Sequence, residues 1–170
     1  MTESERPEND HVDRLRAQWA RELPALDTSA MSLLGRINRI ANLVHPSISE
    51  TFAGYGLDRG EFDVLATLRR AGDPYRLTPT ELYKSLMITS GGLTARLNRL
   101  QKAGLIVREA SREDRRSLAV RLTGEGVRKV EAAFEEDMGK ERLLLDALNA
   151  GEKALLEELL RKLTSSLETP

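Results

Sequence analysis

Cysteine is absent from the 170 residues. That excludes a disulfide framework, thiolate chemistry and thiol-based redox sensing. No apolar run approaches the roughly 18 residues needed to span a bilayer. The opening "MTESERPEND" lacks the basic and apolar regions of a signal peptide, so the expectation is a soluble cytoplasmic protein with no membrane partner. The two histidines, His11 and His45, show no metal-ligand spacing, and neither a metal nor a cofactor is expected. There is no nucleophile elbow, phosphate loop, paired-histidine motif or nucleotide fingerprint; "GYGLDRG" has three glycines at the wrong spacing and no preceding strand. An enzyme is not expected. Internal repeats and low-complexity tracts are missing too.

Net charge is also nearly absent, at −1, but its distribution is uneven. Residues 84–121 carry nine basic groups against three acids, whereas residues 124–170 carry seven against eleven. A cationic segment flanked by acidic ones suits a polyanion partner. Within it, "SLAVRLT" alternates Leu118, Val120 and Leu122 with Ala119 and Arg121, the period-two pattern of a half-buried strand. "LIVREA" supplies a partner strand. The intervening Arg112-Glu113-Asp114-Arg115-Arg116 is then the tip of a β-hairpin.

The remaining chain has helical periodicity. Residues 1–9 are read as a disordered tail. Val12, Leu15, Trp19 and Leu23 share one stripe from Asp10 to Leu23. A long helix follows through "AMSLLGRINRIANLV", which Pro46 must end or kink because it lacks an N–H and clashes with the preceding turn. Asp58 with Glu61 forms a capping-box start, and Gly72 a stop. Thr78, Pro79 and Glu81 repeat that signal more sharply. "TSGGLTARLNRLQKAGL" buries Leu93, Leu97 and Leu100 and stops at Gly104. Helix, helix, turn, helix and hairpin in that order predict a mainly α fold with a small β-hairpin, a winged helix-turn-helix. Beyond Thr123 a helix runs towards Leu148 with Phe134 and Met138 among its apolar positions. Asn149 with Glu152 caps a last helix bearing Leu155, Leu156, Leu159, Leu160, Leu163 and Leu167. These helices exceed what a small winged domain covers, so they read as a dimerisation platform. The organisation is N-terminal helices over 10–56, the winged region over 57–123 and dimerisation helices over 124–170.

With the leucine stripe inward, the opposite side of "TSGGLTARLNRLQK" presents Gly91, Ala95, Asn98 and Lys102, flanked by Thr94 and Arg99. Small residues permit close approach, and Thr94, Asn98 and Arg99 carry the donors and acceptors that read base edges. Thr78 and Ser90, near helix N-termini, suit phosphate contacts. A two-stranded wing can lay Arg115 or Arg116 into a minor groove, with Asp114 holding an arginine head group. Double-stranded DNA is the expected partner.

The stretch "TPTELYKSLMITSGGLTARLNRLQKAGLIVREASREDRRSLAVRLTGEG" resembles the DNA-binding core of the MarR family of bacterial transcription regulators. Its most specific part is Asp114-Arg115-Arg116-Ser117 followed by Leu122-Thr123. The resemblance implies a homodimer joined by N- and C-terminal helices, a pseudo-palindromic operator, and repression relieved by a small ligand. Lack of cysteine excludes the peroxide-sensing mechanism found elsewhere in that family. A finer resemblance is to the urate-responsive, PecS-like branch, through the added helix "VDRLRAQWARELPALDTS" with Trp19, and through Asp63 and Arg96 in matching motif contexts. It implies that Trp19, Asp63 and Arg96 act in ligand response.

The residues themselves leave alternatives open. Trp19 shares a stripe with Val12, Leu15 and Leu23, which suits a core anchor. Asp63 points almost opposite the face centred on Phe62, Val64, Leu65 and Leu68, which predicts a solvent-facing carboxylate. Arg96 lies about 60° from the centre of its leucine stripe and can serve an internal anion, a phosphate or Asp63. Urate or another aromatic anion is the effector that the resemblance implies; a polycarboxylate such as aconitate or citrate suits an arginine pocket as well. The competing function is a helical dimer that binds ligand or protein without DNA.

Overall fold

The computed structural model describes residues 9–86, 92–110 and 118–168. The expected tail therefore lies outside the described residues except for Asn9. The chain divides into two compact units, residues 1–50 and 51–170.

In the first unit α1 spans His11–Glu22. Asp10 caps it, accepting from the backbone N–H groups of Val12 and Asp13 at 2.8 and 2.9 Å, while Asp13 reaches back to the Asp10 N–H. Those bonds, first the one from Asp13, hold the Asp10 carboxyl below the usual carboxylate range. Arg36 on the next helix donates to Asp10 and Asp13 at 2.8 and 2.7 Å. The two helices approach closely where Val12, which is buried, meets Gly35; a Cβ there would lie 3.3 Å from the valine Cγ1. The expected stripe fades beyond this point. Leu15 is half-buried, and Trp19 is 46% exposed rather than a core anchor.

Helix α2 spans Ser29–Gly54 and does not end at Pro46. The missing N–H removes one i→i−4 bond, a penalty of about 3 kcal/mol. The regular bonds on either side, and the burial of Thr51 and Phe52 in its last turn, favour continuation.

The second unit is organised around α3, Arg59–Arg70, which contacts α4 (Pro79–Ser85), α5 (Leu93–Lys102), a small sheet and α6 (Gly124–Leu144). Val64, Leu65 and Leu68 of α3 meet a core that includes Leu82, Leu97, Leu100, Ile106, Val120 and Val130, all buried. The expected caps form. Asp58 and Glu61 exchange bonds at 2.7 and 2.9 Å, and Thr78 and Glu81 do so at 3.3 and 2.8 Å. Gly72 and Gly104, just past α3 and α5, adopt positive φ. Arg70 donates to Thr67 Oγ1 at 2.8 Å and to the Ser85 carbonyl at 2.5 Å, tying α3 to the end of α4.

The expected hairpin is part of a three-stranded antiparallel sheet of order β1-β3-β2, with β1 at Arg76–Leu77, β2 at Ile106–Ala110 and β3 at Leu118–Leu122. Arg108 pairs with Val120, and Arg121 sits between Arg76 and Val107. β3 is central and pairs along both edges. Ala119 and Val120, on opposite faces of it, are both buried, against strict alternation, and Leu118 at its far end is exposed.

Thr123 caps α6, its hydroxyl accepting from the Gly126 N–H at 3.0 Å. The helix stops at Leu144, short of the expected Leu148. Asn149 and Glu152 then cap α7, Ala150–Glu168, by reciprocal bonds at 2.8 and 3.0 Å. No residue of α7 is buried, and its six leucines lie open. Among the described residues no helix is long and apolar enough to cross a membrane.

One buried charge invites a test. Asp137 on α6 is 4% exposed, and its Oδ1 has no hydrogen-bond partner among the described residues. Burial pushes its carboxyl above the ordinary range, against the pull of Arg59 and Lys140. Burial raises Glu141 as well, followed by the charge of Asp137. A raised carboxyl pKa means that the folded chain keeps a proton that the unfolded chain releases. Stability then falls as pH rises from the ordinary carboxylate value through the folded one. Asp137→Asn should stabilise the protein above neutrality by about 1 kcal/mol and flatten that decline. Thermal melts from acidic to mildly alkaline pH check it; an asparagine variant weaker at every pH would refute the assignment.

Candidate nucleic-acid interface

Helices α4 and α5 form the expected helix-turn-helix pair, and α5 turns its leucines inward. Leu97 and Leu100 are buried and Leu93 is half-buried, while Thr94, Ala95, Asn98, Arg99 and Lys102 are exposed. The helix begins at Leu93 after Gly92, which adopts positive φ. Ser90 and Gly91 lie outside the described residues. So do Asp114, Arg115 and Arg116, which fall in the segment joining β2 to β3.

The polar groups on α5 are held from two sides. Arg99 donates from Nε to Glu61 at 2.6 Å and from Nη2 to Asp58 at 2.8 Å, so its fork grips the capping box of α3. The Glu61 carboxylate, ahead of Asp58, keeps this guanidinium firmly protonated. A base contact by Arg99 has to compete with both carboxylates. Asn98 accepts at 2.6 Å from Arg108 Nη2 on β2. Thr78 sits at the N-terminus of α4, where its hydroxyl donates to Glu81 at 2.8 Å. The Thr78 backbone N–H first, and this hydroxyl second, hold the Glu81 carboxyl below its usual range. Beside it Pro79, Thr80 and Tyr83 face Gly92, Leu93 and Thr94 across a cleft of about 570 Å³. Tyr83 is largely exposed there.

Asp63 is not solvent-facing: it is 6% exposed. The helical wheel of α3 fails here because helices, strand and sheet surround it, burying Gly60, Glu61, Asp63 and Thr67 together with the apolar stripe. Arg96, half-buried, lies against the same helix. A Cβ on Gly60 would fall 2.2 Å from its Nε and 2.5 Å from its Cζ. Gly60 and Asp63 are three apart and share a face of α3, so a carboxylate and a guanidinium meet on that face, beneath α5. Trp19 belongs to the other unit. Sequence reasoning did not single out Gly60, Arg108 or Tyr83; a lone glycine at a helix start and a strand arginine carry no local signal of what they touch.

A family model described as the MarR family matches residues 55–117. The regulator PecS of Dickeya dadantii (strain 3937) is 38% identical over 150 residues, covering 88% of this chain and 90% of that protein. A crystal structure of an organohalide-sensing transcriptional regulator with 2,4-dichlorophenol bound superposes with a TM-score of 0.72 at 19% identity, covering 85% of this chain and 84% of that one. BpsR of Bordetella bronchiseptica, whose DNA binding is regulated by 6-hydroxynicotinic acid, gives a TM-score of 0.68 at 24% identity over 82% and 98% of the two chains.

Proposed function

The chain belongs to the MarR family, and from that premise we propose that it is a repressor released from a pseudo-palindromic operator by a small anionic ligand. As a member of that family it is a DNA-binding transcription regulator and not an enzyme. Members bind DNA as dimers and respond to small molecules. The observation that carries the reading is the exposed face of α5, where Thr94, Ala95 and Asn98 stand clear over buried Leu97 and Leu100.

In this proposal Thr94 and Asn98 read base edges and Arg99 joins them where it can leave its carboxylates. Thr78 and Ser90 contact phosphates, and Arg115 and Arg116, steadied by Asp114, enter a minor groove. Open leucines along α7, with Leu33, Leu34, Ile40 and Leu43 of α2, supply apolar surface for a second copy. Half-sites one helical turn apart make affinity sensitive to small shifts of either reading helix.

Asp63 of α3 and Arg96 of α5 support an anion response, since the Arg96 head group lies against Gly60 on the face of α3 that carries Asp63. A ligand anion competing for Arg96 would move the helix that carries it. Two small-molecule regulators with this fold, one binding a chlorophenol and one regulated by a hydroxynicotinate, favour an aromatic anion such as urate over aconitate or citrate. Trp19, the single tryptophan, gives a fluorescence readout of binding, and its own part in the response is tested by Trp19→Phe.

The test is a gel shift on the chain's own upstream DNA, titrated with urate and with citrate. Release by urate is expected. Release by citrate alone would replace the effector, and no shift with any upstream duplex would sink the proposal. Gly60→Ala sharpens the test. The new methyl must displace the flexible Arg96 head group, so DNA affinity without ligand should stay within about threefold. The effector midpoint should move by about tenfold. An unchanged midpoint would remove Arg96 from the ligand site.

A further inference from the structure

Asn98 would ordinarily be an adenine reader: its amide donates to N7 and accepts from the N6 amine in one bidentate contact. Here the amide is already spoken for on one side. Arg108 Nη2 meets it at 2.6 Å, and a guanidinium has donors and no acceptor, so the atom facing it is Oδ1. Nδ2 therefore points the other way. The arginine's stem is anchored in the fold. It is rooted on β2 opposite Val120, is half-buried, and its Nε is buried with no hydrogen-bond partner among the described residues.

Building on the DNA-binding reading above, we infer that Arg108 is a positioning residue that converts Asn98 from an adenine reader into a donor-only probe selecting guanine or thymine. The Oδ1 atom keeps a second lone pair, but a base amine reaching it would crowd a positive guanidinium with another donor. Guanine offers O6 and N7 and thymine offers O4, all acceptors, so these edges suit both the outward Nδ2 and the nearby charge. The wing strand thus edits the code of the reading helix without touching a base.

Selection from a random-sequence duplex pool tests this, with Asn98→Ala used to locate the base position that Asn98 reads. The parent should enrich guanine or thymine there. Arg108→Met, similar in length but without donors, should raise adenine at that position by about fivefold or more while other positions hold. Arg108→Lys should keep the parental preference, because an ammonium still donates. Asn98→Asp, a change at an exposed residue, should move the preference to cytosine, whose N4 amine donates; it decides the matter if Arg108→Met fails to fold. Adenine dominating in the parent, or a distribution unmoved by Arg108→Met or by Asn98→Asp, would overturn the inference while leaving specific DNA binding intact. A parent that enriches no sequence would overturn both.

Discussion

The double variant Arg115→Ala with Arg116→Ala is expected to bind every duplex about 10- to 100-fold more weakly at physiological salt. Its plot of log affinity against log salt should flatten by about 1.8, because each lost cation releases close to 0.9 counterion fewer on binding. The basis is electrostatic: nine of the chain's basic residues fall within 84–121 against three acids, although the whole chain is near neutral. Specific and non-specific duplexes should suffer alike, since a backbone or groove cation positions the protein without distinguishing most sequences. Asn98→Ala should do the reverse, changing preference at one base position with the salt slope intact. Fluorescence anisotropy across a salt series separates the two. If the wing variant keeps both affinity and slope, the arginines do not face DNA, and the helical-dimer alternative gains.

Folding should depend as sharply on Gly126. At this position, in the first turn of α6, a Cβ would lie 2.1 Å from the Leu105 carbonyl oxygen and 3.1 Å from Leu122 Cδ2. The oxygen cannot step aside cheaply. It accepts from the Thr123 N–H at 3.0 Å, while the Thr123 hydroxyl donates to the adjoining Gly104 carbonyl at 2.7 Å and in turn receives the Gly126 N–H. Adding one methyl must separate α6 from the turn after α5, breaking these bonds and opening the packing over buried Leu105 and Leu122. Gly126→Ala should cost about 3–5 kcal/mol, although alanine is intrinsically the better helix former. Thr123→Ala, which removes only the cap, should cost about 1 kcal/mol. Urea unfolding of the two variants beside the parent reads the contrast. A Gly126→Ala protein within 1 kcal/mol of the parent, as small a loss as an ordinary surface change, would show that this contact is not as tight as described.

Much of the architecture was legible because its signals are local. Asp58 with Glu61, Thr78 with Glu81 and Asn149 with Glu152 are each three residues apart, so donor and acceptor meet within one turn whatever surrounds them. Gly72 and Gly104 mark their helix ends for the same reason. Pro46 does not end α2, because a proline penalty is local, whereas helix continuation depends on the burial of Thr51 and Phe52 further on. Strict alternation misled at Ala119 because period two assumes one wet face, whereas Ala119 and Val120, on opposite faces of β3, are both buried; β1, a two-residue strand, has no pattern of its own to read.

The sequence by itself determined the order of the helices and of the two hairpin strands, the caps, the leucine stripe of α5 and the concentration of positive charge, since each depends on neighbours within a turn or on composition alone. Only the tertiary structure decided that Asp63 is buried, that Arg96 lies on Gly60, that Arg99 grips Glu61 across 38 positions and that Arg108 takes the oxygen of Asn98. Periodicity states which way a side chain leaves its own helix; what it meets there is set by the packing of other elements, and no local pattern encodes that meeting.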